Sequence, residues 1–306
     1  MNEQLVRVPT TGTEICYETL GSSSDPPILL IMGLGTQMIA WPDDFCRDLA
    51  SRGNFVVRFD NRDVGRSTHF NDLATPPPLQ VFLRRSRPPY RLEDMAADTV
   101  GLLDSLGIER AHVVGASMGG FIAQLVAIAN PERLRSLSLI MTSTGSRRVG
   151  LPRPRVMAQI GRGRRRRPEA DRESAMELVA QIALVIGSPG YPYDESYLRD
   201  MAGRGYDRAY DPSGYLRQVE AIMAQTDRTA GLRRISVPTV VIHGLADPLV
   251  AVTGGRAIAR AIPRSRFVGL AGMGHDLPRA LWPRIADEIV QAVGEGESEL
   301  AARCKL

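Results

Sequence analysis

The chain has 306 residues, of which 43% are hydrophobic, 24% charged and 6% aromatic, with a formal net charge of +4. That is the composition of an ordinary globular protein, long enough for one large domain or two small ones, and it excludes collagen, coiled coil and wholesale disorder. No run of about 18 apolar residues is present, so no membrane span is expected. The N-terminal stretch lacks the basic-then-apolar pattern of a signal peptide. Cys16, Cys46 and Cys304 are odd in number and lack CxxC spacing, which reads as idle thiols in a reducing compartment, the cytoplasm by default. The terminal Cys304-Lys305-Leu306 resembles a peroxisomal address, a lesser alternative. Lys305 is the one lysine, so arginine carries almost all the positive charge. The densest cluster, Arg162, Arg164, Arg165, Arg166 and Arg167, could bind an anionic surface, but with no interleaved aromatics it reads first as a solvated loop.

In chain order, Ile28–Met32 is fully apolar and follows Pro26-Pro27, the pattern of a buried strand. Phe55–Phe59 is similar. Leu92–Leu106 carries apolar residues at steps of three and four, which predicts a helix capped by Gly107. A strand at Ala111–Val114 leads to Phe121–Asn130, apolar almost all round and stopped by Pro131. Further strands are expected at Leu137–Met141, Thr239–His243 and Phe267–Leu270. A last amphipathic helix shows Trp282, Ile285, Ile289 and Val293. Strands alternating with helices predict an α/β fold, a mostly parallel sheet flanked by helices on both faces. The rhythm lapses between 142 and 235. There arginine, glycine and proline are dense, Ser174–Ile186 reads as a helix, and six tyrosines fall: Tyr191, Tyr193, Tyr197, Tyr206, Tyr210 and Tyr215. The expected organisation is a core over 1–141, an inserted, mainly helical cap over 142–235, and the rest of the core over 236–306. The cap tyrosines, with apolar faces and polar tips, are expected to line a pocket, and the arginines from Arg147 to Arg172 to form a solvated rim.

Gly115-Ala116-Ser117-Met118-Gly119 matches G-x-S-x-G between a predicted strand and a predicted helix. A sharp strand-to-helix elbow strains the serine backbone, and flanking glycines give the chain room to pass. The elbow would lift the hydroxyl out of the carboxyl edge of the sheet, near a helix N-terminus. A serine needs a base to act as nucleophile. Of four histidines, His112 lies inside a strand, His69 follows a loop and His243 ends a strand. His275, in Gly272–Asp276, sits on a glycine-rich loop at the carboxyl edge and is the expected base. Asp247 follows the strand Thr239–His243 at the same edge and is expected to orient it. Asp276 is the nearest rival, but a neighbouring residue cannot easily reach the far nitrogen of the same ring. Two oxyanion donors are expected from backbone N–H groups, Met118 after the serine and Leu34 in the turn Met32–Thr36.

Taken together, Leu29–Gly35, Trp41–Phe45, Phe59–Ser67, Val113–Gly120, Val241–Asp247 and Gly272–Asp276 resemble the α/β-hydrolase superfamily, and within it esterases and lipases of the aclacinomycin methylesterase-like type. The resemblance implies an α/β-hydrolase fold and a carboxylic ester hydrolase working through an acyl-enzyme. It maps the triad onto Ser117, Asp247 and His275. Met32 stands where the family often has histidine before the oxyanion glycine. A cofactor-free perhydrolase or a thioesterase could use the same triad, and a non-enzymatic binding protein of this fold is the alternative of another class. A Rossmann dehydrogenase fails because Met38 stands where a third glycine is needed. An iminopeptidase would need an acidic anchor such as Glu169, Glu173 or Glu177, all of which read as surface residues. No HExxH or comparable cluster is present, so no metal and no cofactor is expected. The expected partner is a small-molecule ester, with no nucleic acid and no integral membrane segment.

Overall fold

The computed structural model describes residues 2–73, 80, 87–166 and 171–303. Eight strands form one sheet: β1 (Gln4–Arg7), β2 (Glu14–Leu20), β3 (Pro27–Ile31), β4 (Phe55–Phe59), β5 (Ala111–Ala116), β6 (Leu134–Ile140), β7 (Thr239–Gly244) and β8 (Ser265–Leu270). Their order across the sheet is β1-β2-β4-β3-β5-β6-β7-β8. β1 and β2 run antiparallel at one edge, and every later pairing is parallel. Parallel strands bury both faces, which explains the unbroken apolar runs. Alternate residues of one strand serve opposite cores. Leu29 and Ile31 pack with Phe121, Ile122 and Val126 of α3 (Met118–Ala129), while Ile28 and Leu30 pack with Trp41 and with Phe45 of α1 (Asp43–Ser51). The first core is covered by α2 (Leu92–Ser105) and α3. The second is closed by α1 and the long C-terminal helix, through Trp282, Ile285 and Ile289.

The predicted strands from Ile28 onward all form, Phe55–Phe59 with both ends as expected and the others with ends shifted by at most three residues. β1 and β2 had no counterpart in the sequence reading. β2 carries Glu18 into the interior, where it pairs with Arg58 of β4 at 2.6 Å. Arg58 also bonds the Trp41 carbonyl and the Asp43 carboxylate. This buried ion network breaks the apolar pattern that marks a strand.

Among the described residues between β6 and β7 lie four helices, α4 (Pro154–Arg166), α5 (Arg172–Ile186), α6 (Glu195–Arg208) and α7 (Ser213–Ala224), and the short α8 (Thr229–Leu232). Charged side chains fasten these helices to the rest of the fold. Arg217 of α7 grips Asp63 with two bonds at 2.9 and 2.7 Å, both side chains being buried. Arg208 of α6 reaches Asp60 at 2.7 Å and Glu3 at 2.6 Å. Arg172 pairs with Asp207 on the exposed side, as a rim arginine would. Arg208, Arg217 and Arg228 are instead buried anchors that the sequence reading did not single out. The side chains of Arg164, Arg165 and Arg166, all of Arg167, Glu169 and Cys304–Leu306 lie outside the described residues. Glu173 and Glu177 both pair with Arg199, and Glu173 is exposed, as the surface reading expects.

Candidate active site

Ser117 sits between β5 and α3 with φ +53° and ψ −116°. Few non-glycine residues hold a positive φ, and the strain persists only where the surroundings over-determine it. Here they do. A Cβ on Gly115 would lie 2.3 Å from the Gly119 carbonyl oxygen, and one on Gly119 would lie 2.1 Å from that of Ile31. The two glycines of the motif are therefore steric requirements of the elbow. The Ser117 amide donates to the Ile140 carbonyl at 2.9 Å, and Thr142 Oγ1 donates to the Ser117 carbonyl at 2.8 Å, so β6 fixes the turn from the other side.

His275 lies 2.9 Å from Ser117 Oγ through Nε2 and 2.8 Å from Asp247 Oδ2 through Nδ1. An ionised carboxylate only accepts, so Nδ1 carries the proton and Nε2 is left to accept from the serine hydroxyl. Asp247 is held in turn by the Leu249 and Val250 amides, both 2.8 Å from Oδ1. The three residues named from the sequence are thus brought together, although they are supplied by loops after β5, β7 and β8. Asp276, the rival acid, takes no part in this chain and accepts instead from Ser188 Oγ.

His243 is a neighbour that the sequence reading set aside. It is buried on β7, donates Nε2–H to the Val250 carbonyl at 2.8 Å, and stands 3.7 Å from Asp247 Oδ2. Burial holds its pKa below the ordinary histidine value, so it stays neutral beside the acid. His112 is also buried, between Ser136 and Glu297 toward the amino ends of β5 and β6, and His69 pairs with Asp211.

The turn after β3 approaches the serine closely. A Cβ on Gly33 would lie 3.3 Å from Ser117 Cβ and 3.8 Å from its Oγ. Asn61 Nδ2 holds the Met32 carbonyl at 3.0 Å, and Gln218 Oε1 of α7 accepts from the Gly35 amide at 2.8 Å. Among the described residues, the Leu34 and Met118 amides donate to no protein acceptor. A cavity of about 200 Å³ opens beside this turn, between Gly35 and Thr36 of the core and helices α5 to α7. Tyr206, Tyr210 and Tyr215 line it, with Leu178, Ile182 and Met201. Ser117, Asp247 and His275 are not among its lining residues. Of the other tyrosines expected there, Tyr191 and Tyr193 bond main-chain carbonyls and Tyr197 packs edge-on against Trp282. Among the described residues, no three His, Cys, Asp or Glu side chains are grouped as a metal ion would require. No helix among them is long and apolar enough to cross a membrane.

Residues 26–173 match the α/β-hydrolase fold family. Rhodomycin D methylesterase DnrP of Streptomyces peucetius is 30% identical over 289 residues, covering 89% of this chain and 92% of that protein. The chain belongs to the α/β-hydrolase family. The 3-oxoadipate enol-lactonase 2 of Acinetobacter baylyi is 28% identical over 252 residues, 81% of this chain and 82% of its own. Among solved structures, the enol-lactonase from Burkholderia xenovorans superposes with a TM-score of 0.70 at 25% identity, over 95% of this chain and all of that one. With these relatives, this α/β hydrolase falls among the esterase-type enzymes of its family.

Proposed function

We propose that the protein hydrolyses small carboxylic esters through an acyl-enzyme on Ser117, with His275 as general base and Asp247 as the acid that orients it. The observation that carries this reading is the continuous hydrogen-bonded relay from Ser117 Oγ through His275 to Asp247, at 2.9 and 2.8 Å. In the first step Nε2 takes the serine proton as Oγ attacks the ester carbonyl, and then hands it to the leaving alcohol. Water repeats the sequence on the acyl-enzyme. Asp247 keeps Nδ1 protonated and stabilises the imidazolium. Leu34 and Met118 amides are the proposed oxyanion donors, and the strained elbow supports this by setting Met118 at the N-terminus of α3.

The helices between β6 and β7 act in this proposal as a cap, and the cavity beside Gly35 receives the apolar part of the ester. Cys16 and Cys46 are free and buried, which suits the cytoplasm as the working compartment. The test is a fluorophosphonate label together with p-nitrophenyl butyrate, a thioester and a peracid assay. Ser117→Ala should abolish labelling and lower kcat on the ester by about 10⁴–10⁶ with the fold intact. Asp247→Asn should cost up to about 10⁴. A folded Ser117→Ala protein with normal turnover would remove the reading.

A further inference from the structure

The chain leaving α5 runs back over the loop that carries His275, and the two segments bond at nearly every step. The His275 amide donates to the Ile186 carbonyl at 2.7 Å, and the Gly190 amide to the Gly272 carbonyl at 3.0 Å. Ser188 Oγ accepts from the Gly274 amide at 2.8 Å and donates to Asp276 Oδ1. Tyr191 Oη donates to the Ala271 carbonyl at 3.1 Å. Glycines allow this approach: a Cβ on Gly274 would fall 2.2 Å from the Gly187 carbonyl oxygen, and one on Gly272 would fall 2.8 Å from Gly190 Cα. The connector thus lies main chain to main chain against the histidine loop.

We propose that Ser188 and Asp276 are positioning residues, through which the helical insertion grips both flanks of His275 and sets its imidazole against Ser117 Oγ. Ser188 joins the residue before His275 to the residue after it, so its hydroxyl limits rocking of the ring about the loop. Asp276 is free for this task because Asp247 already occupies Nδ1. Burial raises the pKa of the Asp276 carboxyl, against the hydrogen bonds from the Ser188 hydroxyl and amide. The charged and titratable groups facing Asp276 are His275 and Asp247, and those facing His275 include His243 as well.

The kinetic part rests on the triad reading; the structural part does not. Losing the hydroxyl lets the base stray from the serine, and a displacement of about 1 Å costs on the order of 10²-fold in rate. Ser188→Ala should lower kcat about 10- to 100-fold with little change in KM, and Ser188→Thr, which restores the hydroxyl, should recover most of it. Asp276→Asn keeps an acceptor for Ser188 but removes the charge that strengthens the bond, so it should lower kcat by a smaller factor than Ser188→Ala and shift the Nδ1 proton resonance.

The experiment pairs kinetics on p-nitrophenyl butyrate with NMR of the His275 Nδ1 proton, assigned by its loss in His275→Asn. The NMR arm needs no substrate. Ser188→Ala is expected to broaden or shift that resonance and Ser188→Thr to restore it, each checked by circular dichroism and thermal melting. If Ser188→Ala does not fold, Ser188→Thr and Asp276→Asn carry the test through the same two readouts. A folded Ser188→Ala protein with an unchanged resonance and unchanged kcat overturns the proposal, as does a folded Asp276→Asn protein in which neither changes. If the resonance responds but no ester is turned over, the ester-hydrolase reading fails and the positioning role stands.

Discussion

Gly119→Ala tests the claim that the elbow is built on steric necessity. The added methyl would sit 2.1 Å from the Ile31 carbonyl oxygen, 2.6 Å from the Ile31 carbonyl carbon and 2.8 Å from the Met32 carbonyl oxygen. All three are main-chain atoms of the central strand β3 and its following turn, so no side-chain rotation relieves the contact. Ordinary contact begins near 3.4 Å, so α3 must retreat from β3 by about 1 Å. Overpacking of this kind costs about 1–3 kcal/mol, or a few degrees in Tm for a chain of this size. The loss in function should be larger in proportion. A 1 Å retreat moves Ser117 and the Met118 amide away from His275 and from the Leu34 turn, at about 10²-fold in kcat/KM. The control is Gly294→Ala in the C-terminal helix, where a Cβ meets nothing within 4 Å. It should keep full activity and gain up to about 1 kcal/mol from helix propensity. Thermal melts and p-nitrophenyl butyrate turnover of both variants decide the matter. Wild-type activity and an unchanged Tm in Gly119→Ala would refute the steric argument.

Three further outcomes follow from buried charge. Glu220 on α7 is buried with neither carboxylate oxygen hydrogen-bonded among the described residues, and burial pushes its pKa up to about 6. A raised carboxyl is harmless below the unfolded pKa and costs stability as pH rises through the folded one, so Glu220→Gln should stabilise the protein by about 2 kcal/mol at pH 8 and not at pH 4, measured by urea unfolding. His112 has the depressed case: burial brings it down to about 4. The unfolded chain then binds more protons between pH 4 and about 6.5, so up to about 3 kcal/mol present above that window is lost as pH falls through it; His112→Gln should flatten this slope in urea midpoints. Arg217→Met leaves Asp63 buried without its ion partner and should cost about 3–5 kcal/mol by the same assay, with an unchanged midpoint counting against the anchoring role.

The strand–elbow–helix around Ser117 was legible because its causes are local. An apolar run, two glycines and an apolar helix sit within twenty residues, and the same holds for the strand ends that place Asp247 and the glycine loop that places His275. Segments whose buried face is polar gave no such signal. Glu18 hides β2, and α7 turns Arg217, Gln218 and Glu220 inward, which inverts the pattern that marks an amphipathic helix. Their partners lie far along the chain: Arg217 meets Asp63 across 154 residues, and Ser188 meets Asp276 across 88. A hydrogen bond or ion pair leaves no periodicity in either segment that makes it. So residue order alone marked the parallel strands from β3 onward and the elbow, and put Ser117, Asp247 and His275 forward as candidates, whereas the antiparallel edge, the seat of the helices between β6 and β7 and their hydrogen bonds to the histidine loop were decided only when the folded chain brought distant polar groups within about 3 Å.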